Sequence, residues 1–249
     1  MLLNILFFTF LASIVSLLLV SILLTREKLM RKISFSLVSF AAGALLATGF
    51  LDTFKEAVAL DNKNAFLWVT LAFGTFFIIE RLFIFMHHHG EENPEAAEDE
   101  MRLPTAFLIF GDGMHNFIDG ISIASSFLVS FPLGMVTTIA VFVHEIPHEL
   151  GDFGILLHKG YGWQKILLFN LLTGIAAIGG ALLAFYIGNA FTKVLPIFLS
   201  ITTANFLYLS ATDLLPEIHT KAKKSLAMNE TLFFVLGILL IWGLIQILG

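Results

Sequence analysis

The amino-acid sequence predicts an all-α, polytopic integral membrane protein with eight transmembrane helices. Of its 249 residues, 57% are hydrophobic and only 13% are charged, whereas soluble domains carry about 25% charged residues. The apolar residues come in runs of about 20, which is the length that a helix needs to cross a hydrocarbon core of about 30 Å. A soluble bundle would need helices with one polar face, but segments such as residues 2–24 are apolar all round.

Eight apolar runs define the predicted helices in order along the chain. They cover residues 2–24, 33–51, 66–85, 105–127, 134–157, 163–187, 196–215 and 231–248. The second run is the least distinct, because it fades into the polar stretch 52–56. We therefore predict a single transmembrane domain over residues 1–249. Its parts are helices one to three (1–86), a short cytoplasmic loop rich in His and acidic residues (87–104), central helices four and five (105–158) and helices six to eight (163–249).

The distribution of Lys and Arg predicts the orientation of the chain. Of the 14 basic residues, three (Lys55, Lys63 and Lys193) lie on one predicted side of the membrane. The other eleven lie in or beside the loops after spans one, three, five and seven. Basic loops face the cytoplasm, so we expect both termini to be extracytoplasmic, in the plasma (inner) membrane. Spans one to three and spans six to eight lie five helices apart, so the two triplets run in opposite directions, as in the inverted repeats of many transporters.

Polar residues interrupt the middle of spans four and five. Span four reads FGDGMHNFIDG at 110–120, and span five reads VHEIPHELGDF at 143–153. Each carboxylate at that depth costs about 2.5–3.5 kcal/mol on insertion scales, and neither span contains a Lys or Arg that would compensate it. A bound cation is the simplest compensation, and an inert hydrogen-bonded network among the helices is the alternative.

The spacing of these polar residues predicts a metal site. His115 and Asp119 are four residues apart, and so are His144 and His148, which places each pair on one face of its helix. Imidazole and carboxylate ligands suit Zn²⁺, Fe²⁺ and Mn²⁺, and three imidazoles favour zinc over Mg²⁺ or Ca²⁺. Because the chain has no cysteine, thiolate ligands are excluded. If the two helices face each other, they can form two adjacent sites: one with His115, Asp119, His144 and His148, the other with Asn116, Asp119, Glu145 and His148.

Two other functions are compatible with the same residues. The segment from His144 to His148 matches the HExxH signature of zinc proteases, so an intramembrane zinc metalloprotease is the enzyme alternative. Against it, Pro147 disturbs the helix that has to aim both histidines, and span four supplies more ligands than a catalytic zinc with an open position requires. The other alternative is a metal sensor or storage protein that binds metal without transporting it.

The two motifs together resemble the Zrt/Irt-like (ZIP) family of divalent metal transporters. HNFIDG at 115–120 followed by HEIPHELGDF at 144–153 is similar to the subfamily with HNFxDG and HExPHELGDF motifs. The resemblance implies a 3+2+3 arrangement of helices around a binuclear metal site between helices four and five, and uptake of metal toward the cytoplasm rather than an enzymatic reaction. The metal ligands that it implies are His115, Asn116, Asp119, His144, Glu145 and His148.

The resemblance also implies the substrate and the partners. Zn²⁺ is the expected substrate, with Cd²⁺, Fe²⁺ and Mn²⁺ as further candidates, and neither an organic cofactor nor a nucleic acid is expected. The partners are the metal ions and the lipid bilayer, and the family suggests a homodimer, although the sequence shows no interface motif.

Further polar residues are candidates for the metal pathway outside the central site. The acidic candidates are Asp52, Asp112, Glu149, Asp152 and Asp213. Asp52 lies at the outer end of span two, where it would attract an incoming cation, while the aspartates of spans four, five and seven lie toward the cytoplasmic side. The histidines at 87–89 would capture metal after passage. For each of these groups, a solvated helix end or loop is the alternative.

Overall fold

A computed structural model describes residues 1–24, 27–88, 97–158, 160–190, 192–221 and 227–248 of the chain. Within these residues the regular structure is helical and contains no β-strand. The all-α prediction is therefore confirmed.

The helical segments follow one another as eight rods, α1 to α8, in the part of the chain that is described. Three rods contain a π-helical turn: α1 (Leu2–Phe10, π-turn Leu11–Val15, Ser16–Leu24), α2 (Glu27–Ala47, π-turn Thr48–Thr53, Phe54–Leu60) and α7 (Leu195–Tyr208, π-turn Leu209–Leu214, Leu215–Lys221). The others are α3 (Ala65–His88), α4 (Ala97–Val129), α5 (Phe131–His158), α6 (Trp163–Ala190) and α8 (Ala227–Leu248), and a 3₁₀ turn at Thr192–Val194 precedes α7.

Six stretches of the described helices are long and apolar enough to cross a membrane. They are Leu2–Ile22, Ser36–Leu60, Ala65–Leu82, Trp163–Gly188, Leu195–Leu214 and Met228–Leu248. The 33-residue α4 and the 28-residue α5 are also long enough, but the polar clusters at 112–119 and 144–152 interrupt their apolar runs. Large apolar side chains such as Ile22, Leu172 and Leu239 point outward and are more than half exposed, as expected of a lipid-facing surface. The prediction of a polytopic integral membrane protein is confirmed.

Several helix boundaries differ from the predicted spans. The second helix continues through the polar stretch at 52–56 to Leu60, because a π-turn keeps the backbone helical there. Thr53, in that turn, bonds to the hydroxyl of Thr203 on α7 at 2.9 Å. The fourth helix begins at Ala97, before the predicted residue 105, so the predicted loop at 87–104 contains helical residues at both ends. The 89–96 part of that loop, including His89, lies outside the described residues.

The helices pack in pairs that are related by a pseudosymmetry. The α2 helix packs against α8 and α3 packs against α7, while α4 packs against α6 and α1 packs against α5. Exchanging helices one to three with helices six to eight, and α4 with α5, converts each of these pairs into its counterpart. This packing pattern is the one expected of a 3+2+3 inverted repeat.

Glycines lie where the two helices cross in two of these pairs. A Cβ added to any of four glycines would collide with a backbone carbonyl of the opposite helix. In the α4–α6 pair, Gly120 faces the carbonyl of Ala177 and Gly180 faces that of Phe117; in the α2–α8 pair, Gly43 faces that of Phe234 and Gly237 faces that of Phe40. Small residues at such crossings let two backbones approach closely in a membrane. The α4 helix, which carries half of the polar cluster, is therefore held against α6.

Candidate metal site

The polar faces of α4 and α5 meet inside the bundle. On α4, residues 112, 115, 116 and 119 recur at helical spacing, and on α5, residues 144, 145, 148, 149 and 152 do the same. The buried members, each at most 9% exposed, are Asp112, Asn116, Asp119, His144, Glu145, Glu149 and Asp152. This arrangement concentrates imidazole and carboxylate groups at one interface of the membrane-spanning bundle.

Four side chains converge in the first of two groups, which we call the quartet: His115, Asp119, His144 and Glu145. One potential ligand atom from each residue lies within 4.8 Å of the others. The Nε2 atoms of His115 and His144 are 3.2 Å apart, and Asp119 Oδ2 lies 3.0 Å from His144 Nε2 and 3.4 Å from His115 Nε2. Glu145 Oε1 lies 3.5 and 3.6 Å from the same two nitrogens. A tetrahedral zinc ion with ligands at about 2.0–2.1 Å has ligand–ligand distances of about 3.3 Å, so these five separations fit one such ion.

Two members of the quartet are oriented by contacts with residues outside it. The Nδ1 of His144 lies 3.1 Å from the carbonyl oxygen of Ala140, one turn earlier in α5. When Nδ1 carries the proton and donates to this carbonyl, the Nε2 lone pair is free for a metal. The Nδ2 of Asn205, on α7, donates to Asp119 Oδ1 at 3.1 Å, which leaves Oδ2 directed at the histidines.

Asn205, which contacts Asp119 of the quartet, was not among the residues predicted from the sequence to lie at the site. It lies in an apolar run of span seven and is only 4% exposed. A buried amide in such a run is a signal of a polar partner, but the sequence does not identify that partner.

Three side chains form a second group, which we call the trio: Asp112, His148 and Asp152. The Nδ1 of His148 lies 3.7 Å from Asp112 Oδ1 and 3.7 Å from Asp152 Oδ2. Asn116 donates its Nδ2 to Asp112 Oδ1 at 2.9 Å and so fixes that carboxylate. The side chain of His148 is 32% exposed, against 10% or less for the quartet, so the trio is the more open group.

The structure groups the predicted ligands differently from either predicted set. Glu145 joins the histidines of the quartet, where His148 was expected, and Asn116 contacts Asp112 instead of reaching Glu145. The reason is the antiparallel run of the two helices, because His148 lies one turn beyond His144 and so faces an earlier turn of α4. The rings of His115 and His148 stack with centroids 4.5 Å apart, so the two groups adjoin each other.

Two other pathway candidates lie outside both groups. Glu149 is 2% exposed, and its Oε2 accepts a hydrogen bond of 2.7 Å from Asn170 Nδ2 on α6. Asp213 is exposed on the π-turn of α7 and accepts a hydrogen bond of 2.9 Å from Thr212 Oγ1. Neither residue contributes a ligand atom to the quartet or the trio.

The part of the sequence that carries the quartet and the trio matches a known protein family. A model of the ZIP zinc transporter family matches residues 86–245, which is most of the chain and includes both α4 and α5. The chain belongs to the ZIP zinc transporter family. The family resemblance inferred from the two motifs is thereby confirmed.

Individual ZIP proteins align with about half of this chain. Zinc transporter ZIP10 of Danio rerio is 40% identical over 111 residues, covering 45% of this chain and 13% of that protein. Human zinc transporter ZIP4 is 39% identical over 123 residues, which cover 49% of this chain and 19% of that protein. The zinc transporter foi of Drosophila melanogaster is 36% identical over 132 residues, which cover 53% of this chain and 18% of that protein. The aligned segments therefore make up less than one fifth of these longer relatives.

Several buried atoms of this ZIP chain have no hydrogen-bond partner among the described residues. In and beside the two groups they are both carboxylate oxygens of Glu145, Oδ1 of Asn116, Nδ1 of His148 and Oε1 of Glu149. Leaving a buried carboxylate without a partner is costly. A cation between these side chains would supply the missing partner.

Asp52 lies apart from both the quartet and the trio. It lines a cavity of about 410 Å³ together with Lys55 and Glu56 of α2, Ser130 and Pro132 near the α4–α5 turn, and Gln246 near the end of α8. All of these elements belong to the side that the sequence predicts to be extracytoplasmic, and Asp52 Oδ2 is buried without a hydrogen-bond partner. The position is compatible with the predicted entrance role.

Proposed function

We propose that this chain transports divalent metal cations across a membrane, with Zn²⁺ as its main substrate, through the site between α4 and α5 and toward the cytoplasm. The quartet carries this proposal, because its ligand atoms are spaced as in a tetrahedral zinc site. When both histidines are neutral, the two carboxylates of the quartet carry two negative charges, which one divalent cation balances. The names of the aligned relatives, which are zinc transporters, support the same conclusion.

The choice of zinc rests on the ligand types. Two imidazoles and two carboxylates suit Zn²⁺ and the neighbouring transition metals, whereas Mg²⁺ and Ca²⁺ prefer sites built from oxygen. Cd²⁺, Fe²⁺ and Mn²⁺ are the further candidates, and competition among these ions decides their order.

The mechanism we favour is a sliding motion of one group of helices (α1, α4, α5 and α6) against another (α2, α3, α7 and α8). The α4–α6 pair and the α2–α8 pair are each interlocked by glycine contacts, so each pair is expected to move as a unit. Both quartet helices touch elements of the other group, α4 through α7 and α5 through α2. Displacement along these contacts would expose the site to one side of the membrane and then to the other.

The metalloprotease alternative requires both histidines of HExxH to bind one zinc ion. In this chain His144 belongs to the quartet, while the free nitrogen of His148 faces Asp112 and Asp152 in the trio. Glu145, which would be the general base, lies among the quartet's ligand atoms. These positions and the membership of a transporter family argue for transport over proteolysis.

Metal uptake by the reconstituted protein tests the proposal. Proteoliposomes containing the chain should accumulate Zn²⁺, and the double variant His115→Ala/His144→Ala should lose this uptake. His219→Ala is the matched control, because His219 is exposed near the end of α7 and its Nδ1 lies 2.8 Å from the carbonyl oxygen of Leu215 in its own helix. Full uptake by the correctly inserted double variant would refute the site, and metal binding without any uptake would favour the sensor or storage alternative.

A further inference from the structure

The hydrogen bond between Asn205 and Asp119 joins the two groups of helices that the proposed sliding motion displaces. The Nδ2 of Asn205, on α7, lies 3.1 Å from Asp119 Oδ1, on α4. The two side chains are 4% and 0% exposed, so the bond forms in a medium of low dielectric, where it is stronger than in water. A displacement of a few ångströms would break it, because such a bond requires a separation of about 2.7–3.2 Å.

Asp119 is anchored to its own group of helices. It directly precedes Gly120, and a Cβ added to Gly120 would collide with the backbone carbonyl of Ala177 on α6. So close an approach of two backbones fixes this turn of α4 against α6. When the groups slide, Asp119 is therefore expected to move with α6.

Asn205 is anchored to the other group. Two residues before it, the hydroxyl of Thr203 bonds to that of Thr53 at 2.9 Å. One turn and a half after it, Ser210 Oγ donates to the carbonyl oxygen of Ala42 at 3.0 Å. Both of these partners lie on α2, so Asn205 is expected to move with α2.

We infer that Asn205 is a positioning residue that makes the affinity of the quartet for a divalent cation depend on the relative position of the two helix groups. This inference rests on the proposed transport function. In this structure the bond from Asn205 to Oδ1 leaves Asp119 Oδ2 directed at His144 Nε2, 3.0 Å away. Once sliding breaks the bond, Asp119 is free to turn and the quartet holds the ion less tightly.

The same bond makes the position of the helix groups depend on metal. A ligand that binds more tightly to one arrangement stabilises that arrangement by the same factor. Removing an outer partner of a metal ligand typically lowers affinity by about 10- to 100-fold, so Zn²⁺ in the quartet should favour the bonded arrangement through Asn205 by about tenfold. The ion is then held firmly while it is buried and is loosened by the motion that exposes it.

Spin labels on introduced cysteines can report this motion, because the chain has no cysteine of its own. Lys55 of α2 and Ser130 at the α4–α5 turn line one cavity from the two groups, and both residues are exposed. The pair Lys55→Cys/Ser130→Cys therefore measures displacement between the groups. The matched control pair is Lys55→Cys/Gln246→Cys, because Gln246 is exposed in the same cavity but lies on α8, which is interlocked with α2.

Double electron–electron resonance on the purified full chain, with and without saturating Zn²⁺, gives the separations. The pair that spans the groups should show a bonded and a displaced population, and Zn²⁺ should raise the ratio of the first to the second. In Asn205→Leu this increase should be about tenfold smaller. The control pair should give one unchanged separation in every sample.

Two further variants separate the lost donor from a loss of packing. Asn205→Ala lacks the donor and also the side-chain volume, and it should show the same reduced response to Zn²⁺ as Asn205→Leu. Asn170→Leu removes a buried amide that donates to Glu149 within one group, and it should keep the full response. The inference is overturned if Zn²⁺ leaves the wild-type ratio unchanged, if the Asn205 variants respond like the wild type, or if Asn170→Leu loses as much as they do.

Uptake measurements distinguish failure of this coupling from failure of the proposed function. If Zn²⁺ shifts the populations through Asn205 but the wild type moves no metal into liposomes, the transport proposal fails and the coupling stands. If the wild type transports Zn²⁺ while the shift is independent of Asn205, the transport proposal stands and the coupling fails.

Discussion

Replacing Asn205 tests whether the outer contacts of the quartet hold its ligands in place. Asn205 on α7 donates to Asp119 Oδ1 at 3.1 Å, and both side chains are at most 4% exposed. The substitution Asn205→Leu keeps roughly the same side-chain volume and removes the donor. Asp119 then loses the contact that directs Oδ2 at His144, and its other oxygen is left buried without a partner.

The expected loss follows from the strength of this bond. A hydrogen bond to a charged group contributes about 1.5–3 kcal/mol, and each 1.4 kcal/mol changes a binding constant by about tenfold. Removing an outer partner of a metal ligand typically lowers metal affinity by about 10- to 100-fold. We therefore expect Asn205→Leu to weaken Zn²⁺ binding at the quartet by about 10-fold or somewhat more. The bond also exists in the metal-free protein, so only part of its strength contributes to metal affinity.

Calorimetric titration of the purified protein with Zn²⁺ measures this loss. Asn170→Leu is the matched control, because Asn170 donates to Glu149 Oε2 at 2.7 Å in a similarly buried place but Glu149 lies in neither metal group. The control should lose much less affinity than Asn205→Leu. Equal losses in the two variants, or an unchanged affinity in Asn205→Leu, would refute the orienting role of Asn205.

Three further predictions concern the quartet, the helix packing and the substrate. Glu145→Gln removes one of the two quartet charges and should weaken calorimetric Zn²⁺ binding by about 10-fold or more; binding at wild-type strength would contradict its role as a ligand. Gly120→Ala places a Cβ against the carbonyl of Ala177 and should lower the stability of the detergent-solubilised protein by about 1–3 kcal/mol. Gly74→Ala is the control, because an added Cβ there meets no atom within 4 Å, and it should leave the stability unchanged or slightly raised. Equal melting temperatures of the two variants would argue against the tight α4–α6 contact. Excess Cd²⁺ should compete with Zn²⁺ uptake, and excess Mg²⁺ or Ca²⁺ should not; strong inhibition by Mg²⁺ would indicate an oxygen-dominated site.

The fold and the location of the candidate site could be predicted from local sequence because the lipid environment restricts the structures that a chain can adopt. Apolar runs such as 2–24 and 163–187 have to be helical, since a backbone in hydrocarbon can satisfy its hydrogen bonds only within a helix or a closed barrel. Polar residues in such runs stand out against their surroundings, which is why six residues of spans four and five were predicted as metal ligands: His115, Asn116, Asp119, His144, Glu145 and His148. Helix ends were less accessible, because π-turns such as Thr48–Thr53 carry a helix through a polar stretch.

Contacts between helices were harder to predict because they depend on register and on distant partners. Asn205 lies 86 positions from Asp119 along the chain, and no local pattern connects the two residues. Asn170 and Glu149 are a comparable case, in which each residue was visible as polar but its partner was not. Helical spacing shows which side chains share a face of one helix, whereas the relative shift of two helices decides which of these side chains meet.

The antiparallel register of α4 and α5 accounts for the division of the polar side chains into the quartet and the trio. His148 follows His144 by one turn, which is a rise of about 6 Å, and it therefore faces the turn of α4 that precedes His115. Asp112 occupies that earlier turn and Asp119 the later one, so each level receives one aspartate from α4 and one carboxylate from α5. Each level therefore brings together two carboxylates and at least one imidazole. A six-ligand cluster around one point would require both helices to present two turns at the same height, which their rise forbids.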